Sequence, residues 1–252
     1  MARLRFADVI RDIDLVVFDK DGTLIDFDFT WSGRCARAVD ALMADWPERA
    51  PLRPSLLASI GVDPATGRAI PESPLVVGSL AEITIVAATV LYQAGESWTQ
   101  ATSSAERIFR PFFVPAPAAA ELRAVGDIAG LFARLRQAGV AIGVLTNDDR
   151  LGTEATLVHL GVAHHVTALG CADDHHGPKP EPHGLVALAR SLGVPLARVA
   201  MVGDAIGDLV TARRAEAALA VAVLSGVAGR HVLAPYADVV IDAVTAIEVV
   251  GE

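Results

Sequence analysis

Apolar residues in this chain follow two different patterns. Outside the stretch 26–121, short and largely continuous apolar runs occur at 13–18, 140–146, 166–169, 199–202, 219–224 and 239–241. Such runs are what strands buried on both faces require. Between them the apolar spacing turns helical, at 127–138, near 151–160, at 181–192, and from Gly203-Asp204 to about Ala218. The first three helical stretches stop at Gly139, Gly161 and Gly193, residues able to take the left-handed conformation that caps a helix C-terminus. Strands alternating with helices of this length predict right-handed βαβ units and a parallel sheet covered by helices on both faces.

From residue 26 to about 121 the pattern changes. Helical segments are predicted at 31–45, 54–60, 80–92 and 97–110, with Pro- and Gly-rich connections and little strand character. This stretch reads as a second, helical domain (26–120) inserted into an α/β domain made of 1–25 and 121–252. The expected hinges lie at 26–30 and at the Ala/Pro segment 115–120.

Composition adds exclusions. With 252 residues, 52% of them hydrophobic, the chain can bury a large core. A formal charge of -9 argues against a nucleic-acid or anionic-membrane partner, because those surfaces are bound by clustered Lys and Arg. The first residues lack the apolar centre of a signal peptide and no apolar run reaches spanning length, so a cytoplasmic protein is expected. Cys35 and Cys171 are too few for a disulfide framework and are expected to be reduced and buried. The two lysines, Lys20 and Lys179, both sit in segments that look chemical. Any anionic ligand must be held by such local cations.

Four segments carry the candidate chemistry. Phe18-Asp19-Lys20-Asp21-Gly22-Thr23-Leu24 follows the first predicted core strand, so Asp19 and Asp21 emerge at the carboxyl end of a parallel strand, where open α/β sheets bind ligands. Thr146-Asn147-Asp148 follows the next, Gly177-Pro178-Lys179-Pro180 precedes a helix, and Gly203-Asp204-Ala205-Ile206-Gly207-Asp208 follows the run at 199–202. In this order they resemble the four motifs of the haloacid dehalogenase superfamily. The insertion just after the first motif is similar to that of its capped phosphatases, such as phosphoglycolate phosphatases. The resemblance implies a Rossmann-like doubly wound sheet with an inserted helical cap, and a substrate that is a small phosphorylated metabolite. It leaves the oligomeric state open.

The same resemblance assigns roles. Phosphate monoesters hydrolyse so slowly that catalysts supply up to the order of 10²¹ in rate, and a nucleophile, an acid and charge neutralisation are all needed. Asp19 is implied as the nucleophile forming an aspartyl-phosphate, and Asp21 as the acid and then the base. Thr146, with the backbone N–H of Asn147, is implied to bind a phosphoryl oxygen, and Lys179 to neutralise its charge. Mg²⁺ is the implied cofactor, held by Asp19, Asp204 and the backbone carbonyl of Asp21, with Asp208 one helical turn beyond acting directly or through water.

Alternatives exist at several points. Asp173-Asp174-His175-His176 with His183 offers metal-binding residue types, but without an i, i+4 pair on one helix face it is expected to be a solvated loop. Lys20 departs from the apolar residue usual at its position in capped relatives, and its side chain is expected to face solvent or the insertion. An acid at Asp21 argues against a dehalogenase, which has no leaving alcohol to protonate. The absence of lysine from 26–120 argues against a phosphonoacetaldehyde hydrolase, which needs one there. A phosphomutase of the same superfamily and a non-catalytic binding protein on this scaffold remain as alternative functions. The aromatic and arginine side chains of the insertion, Phe27, Phe29, Trp31, Arg34, Arg53 and Arg68, read as packing and surface residues.

Overall fold

The structure, a computed structural model, describes residues 2–251. Two short strands, β1 (Arg3–Phe6) and β2 (Val9–Asp12), precede β3 (Leu15–Phe18). The insertion follows. A π-helical turn, Asp28–Ser32, runs into α1 (Gly33–Asp45), and α2 (Arg53–Ile60), α3 (Pro74–Val77), α4 (Leu80–Gln93) and α5 (Trp98–Phe113) complete it. The chain then returns through α6 (Ile128–Gln137), β4 (Ala141–Leu145), α7 (Arg150–His159), β5 (Ala168–Gly170) and α8 (His183–Ser191). It ends with β6 (Val199–Gly203), α9 (Ile206–Arg214), β7 (Leu219–Val223), α10 (Arg230–Leu233), β8 (Val239–Ile241) and β9 (Ile247–Val250).

Six strands form a parallel sheet in the order β5-β4-β3-β6-β7-β8. This is the α/β doubly wound fold that the alternating pattern predicts. Residues of β3 divide between the two faces: Val16 and Phe18 pack with Ile128, Leu131, Phe132 and Leu135 of α6, and Leu15 and Val17 with the cluster that holds Leu185 and Leu188 of α8 and Leu209 of α9. The Phe18 and Phe132 rings lie 5.2 Å apart. With helices on both faces, β3 has no polar face to show. That is why it reads as an unbroken apolar run rather than an alternation.

The winding reverses on either side of β3, since the chain runs outward through β4 to β5 and in the other direction through β6, β7 and β8. The carboxyl end of β3 is therefore the switch point, where two connections part and leave a crevice.

Several features differ from the sequence expectation, beyond the short unexpected helices α3 and α10. Strands β1, β2 and β9 pair as an antiparallel sheet, β2-β1-β9, which adds Leu4, Phe6 and Ile247 to the α6 side of the core. The strand expected at 166–169 begins at Ala168, after a 3-10 turn at Ala163–His165. Helix α9 stops at Arg214 rather than near Ala218, because Glu216 takes a positive φ of 56° and turns the chain toward β7. No Gly or Pro marks that stop in the sequence.

Among the described residues, those up to 26 with those from 117 onward form one compact unit and 27–116 another. Within the first unit the chain segments on either side of the insertion are zipped together. Ile25 bridges Ala124, the Asp26 N–H donates to Arg123 O at 2.8 Å, the Val125 N–H donates to Leu24 O at 2.9 Å, and the Arg123 guanidinium meets the Asp26 carboxylate at 2.6 Å. Within the second unit, Ser79 begins α4 with a reciprocal capping box to Glu82, the pattern that satisfies free N–H groups at a helix start.

Candidate active site

The first motif leaves β3 directly. The Asp19 N–H still donates to Val202 O of β6 at 2.9 Å, so the nucleophile candidate is fixed by the last rung of the ladder. The chain then folds back on itself, with the Leu24 and Ile25 N–H groups both donating to Lys20 O. Gly22 sits at φ 82°, and a Cβ there would fall 2.3 Å from Asp204 Oδ2. Only glycine satisfies both demands at that turn.

Asp204, at the end of β6, is pressed from two sides. A Cβ on Gly226 would lie 1.8 Å from the same Asp204 Oδ2, and Thr23 Oγ1 donates to Asp204 Oδ1 at 3.2 Å. Ser225 Oγ donates to Gly22 O at 2.8 Å and so ties the β7 loop to the Asp19 turn.

Lys179 reaches the same place from the loop before α8. Its Nζ donates to Asp19 Oδ1 and, at 2.6 Å, to Asp208 Oδ1. The Asp208 Oδ2 accepts from the Ala205 N–H at 3.1 Å, which anchors this carboxylate at the first turn of α9. The Lys179 loop is fastened by Asn147, whose Oδ1 accepts from the Lys179 N–H at 2.8 Å and whose Nδ2 donates to Lys179 O at 3.4 Å. Asn147 thus acts on the lysine loop through its side chain, a contact not expected from its sequence. Thr146 is buried, its N–H donating to Gly170 O and its Oγ1 accepting from the Asp148 N–H at 3.2 Å.

Carboxylate oxygens of Asp19, Asp204 and Asp208 lie within 4.8 Å of one another, and all three residues are buried. Removal from water pushes the Asp19 carboxyl up to about 6 against the opposing pull of Lys179, with Asp208 adding repulsion. Burial, together with the charges of Asp19 and Asp208, raises Asp204 well above the ordinary carboxylate range. Three carboxylates facing one ammonium are short of positive charge. Their oxygens are hard donors of the kind Mg²⁺ prefers, so this set fits that ion on its chemistry.

Lys20 does not face solvent. Its side chain is 1% exposed, and its Nζ lies 2.7 Å from Asp21 Oδ2 and 2.8 Å from Asp148 Oδ2. Two carboxylates attract the ammonium more than water does, and the flanking attraction raises its pKa despite burial. Asp21 is mostly buried beside it, and desolvation lifts its carboxyl to about 6. Asp148, in the segment Thr146-Asn147-Asp148, has no role in the sequence reading. The sequence signal for it is an acid soon after a strand end, as at Asp19 and Asp21.

The histidine segment stays apart from this cluster. His175, His176 and His183 are exposed. The neighbouring acids are committed elsewhere: Asp174 pairs with the Arg150 guanidinium at 2.6 Å and accepts from the Cys171 N–H at 2.8 Å, while Asp173 Oδ1 accepts from the Arg150 N–H at 3.0 Å. This loop holds the start of α7. Cys35 and Cys171 are both buried and free, and burial pushes their thiols up to about 12 and about 11. Among the described residues, no helix is long and apolar enough to cross a membrane.

The chain is similar to known proteins. The chain is 27% identical over 201 residues to a phosphoglycolate phosphatase of Agrobacterium fabrum, covering 80% of this chain and 76% of that one. A phosphoglycolate phosphatase of Rhodospirillum rubrum is 33% identical over 129 residues, about half of each chain at 51% and 53%. The solved structure of a haloacid dehalogenase-superfamily hydrolase from Geobacter sulfurreducens superposes with a TM-score of 0.61 at 17% identity, covering 92% of this chain and 93% of that one, a likeness of fold. The family model for haloacid dehalogenase-like hydrolases matches residues 13–216, a span that takes in β3, the insertion and every acid and lysine described above. The chain belongs to the haloacid dehalogenase-like hydrolases.

Proposed function

We propose that the protein is a Mg²⁺-dependent phosphatase of small phosphorylated metabolites that works through a phosphorylated Asp19. The observation that carries this reading is the meeting of Asp19 with Lys179, Asp204 and Asp208 at the switch point of the sheet. A carboxylate in line with phosphorus forms an acyl phosphate as the bond to the leaving oxygen breaks. Asp21, two residues on, gives its proton to that oxygen. Water then attacks the phosphorus, Asp21 takes a proton from it, and the bond to Asp19 breaks to release inorganic phosphate.

The remaining residues hold charge and geometry. Lys179 stabilises the phosphoryl oxygens as negative charge redistributes over them, while Thr146 Oγ1 and the Asn147 N–H hydrogen-bond a phosphoryl oxygen. Asp19, Asp204 and Asp208, with the Asp21 carbonyl, would hold Mg²⁺, which supplies Lewis-acid neutralisation of the phosphoryl charge. The curated relatives named phosphoglycolate phosphatase make two-carbon phosphoacids the first substrates to test. Buried free thiols support a reducing, cytoplasmic setting.

The test is inorganic phosphate release from a panel of phosphorylated metabolites, with Mg²⁺ or with EDTA, comparing the protein with Asp19→Asn. Release is expected only with Mg²⁺, and the substitution is expected to lower kcat by at least about 10³-fold while the fold is kept. Near-normal turnover by folded Asp19→Asn protein would overturn the mechanism.

A further inference from the structure

The two lysines of the chain each bridge a pair of acids. Lys179 joins Asp19 to Asp208, and Lys20 joins Asp21 to Asp148. Only the first bridge is absorbed by the proposed mechanism. Taking an ammonium out of water is unfavourable unless close partners offset it, so an apolar side chain would fill the Lys20 position more readily if packing were its purpose.

The geometry supplies another purpose. Asp148 belongs to the loop after β4, where its own N–H is tied to Thr146 Oγ1 at 3.2 Å and the neighbouring Asn147 grips the Lys179 loop. Lys20 therefore connects the turn that carries Asp21 to the loop that carries Thr146. A lone aspartate side chain rotates about two bonds. One held at Oδ2 by a buried ammonium, itself held by a second carboxylate, does not.

We propose that Lys20 is a positioning residue: anchored on Asp148, its ammonium holds the Asp21 carboxyl in the orientation from which the proton passes to the leaving-group oxygen. The proposal rests on the phosphatase reading above. In the step concerned, the bond from phosphorus to the leaving oxygen breaks as the bond to Asp19 forms, and the Asp21 proton goes to the departing oxygen. An alkoxide needs that proton, whereas p-nitrophenolate departs readily without it.

The experiment measures kcat and KM for p-nitrophenyl phosphate and for the alkyl phosphate that the wild-type protein hydrolyses fastest. Lys20→Met is expected to lower kcat on the alkyl ester about 10²-fold and on p-nitrophenyl phosphate less than about fivefold, with KM for both little changed. Lys20→Arg, which keeps the cation, is expected to recover part of the alkyl activity. In an Asp21→Asn background, Lys20→Met is expected to cost nothing further, because the residue through which it acts is already lost.

Equal losses on the two esters, no loss on the alkyl ester, or a full further loss in the Asp21→Asn background would overturn the proposal and leave the phosphatase reading standing. A wild-type protein that hydrolyses no alkyl phosphate would overturn that reading and the proposal with it. Should Lys20→Met fail to fold, Lys20→Gln, a shorter and uncharged side chain that still forms hydrogen bonds, takes its place with the same expectations.

Discussion

At the scale of single residues, the site depends as much on side chains that are missing as on those present. Asp204 stands where a Cβ on Gly22 or Gly226 would be 2.3 and 1.8 Å from its Oδ2. Gly226→Ala is therefore expected to displace this carboxylate and weaken Mg²⁺ binding, measured by calorimetry, by about 10- to 100-fold, as supporting contacts of metal ligands usually do. Unchanged affinity would mean that the carboxylate relocates without consequence. The meeting of Asp19, Lys179, Asp204 and Asp208 was legible because Asp19 and Asp204 follow strand ends and the segments that hold all four resemble motifs of one family. Gly226, Ser225 and Thr23 were not, because their part in the site comes from what they approach in space. The burial of Lys20 was hidden for a related reason. Sequence shows a charged residue and cannot show two carboxylates converging on it in space.

At the scale of elements, periodicity served helices better than strands. The amphipathic stripes of α1, α4, α5 and α6 are long enough to show a period, and the core strands show as apolar runs. In β1, β2 and β9 the charged residues Arg3, Arg5, Arg11, Asp12 and Glu248 interrupt any apolar run, and β1 gains its partner β9 only by pairing segments from opposite ends of the sequence. Helix ends were legible where capping chemistry is local, as with Asp127, whose side chain accepts from the Gly130 N–H at 2.8 Å. Ser79 at the start of α4 has the same role with a capping box. Ser79→Ala is expected to destabilise the inserted unit by about 1 kcal/mol in chemical denaturation. If the two units unfold in separate transitions, only that of residues 27–116 is expected to move.

At the scale of the whole molecule, the paired segments on either side of the insertion decide how far the α/β unit depends on it. Since Leu24, Ile25 and Asp26 are already joined to Arg123, Ala124 and Val125, the core closes its own chain without help from the residues between. Replacing 27–116 by a short Gly/Ser linker is expected to leave a core that unfolds cooperatively and still releases phosphate from p-nitrophenyl phosphate. A chain that no longer unfolds cooperatively would show that the insertion holds the core together. The placement of β3 has a consequence of another kind. It is an interior strand, third of six in its sheet, and the first of the six to be synthesised, yet its neighbours are Ala141–Leu145 and Val199–Gly203. On the ribosome, this fully apolar strand must wait with both edges bare while the whole insertion is translated and has time to fold. The nascent chain is at its most exposed to aggregation during that interval, and a chaperone that shields Leu15–Phe18 then would protect the yield of the protein more than one acting after release.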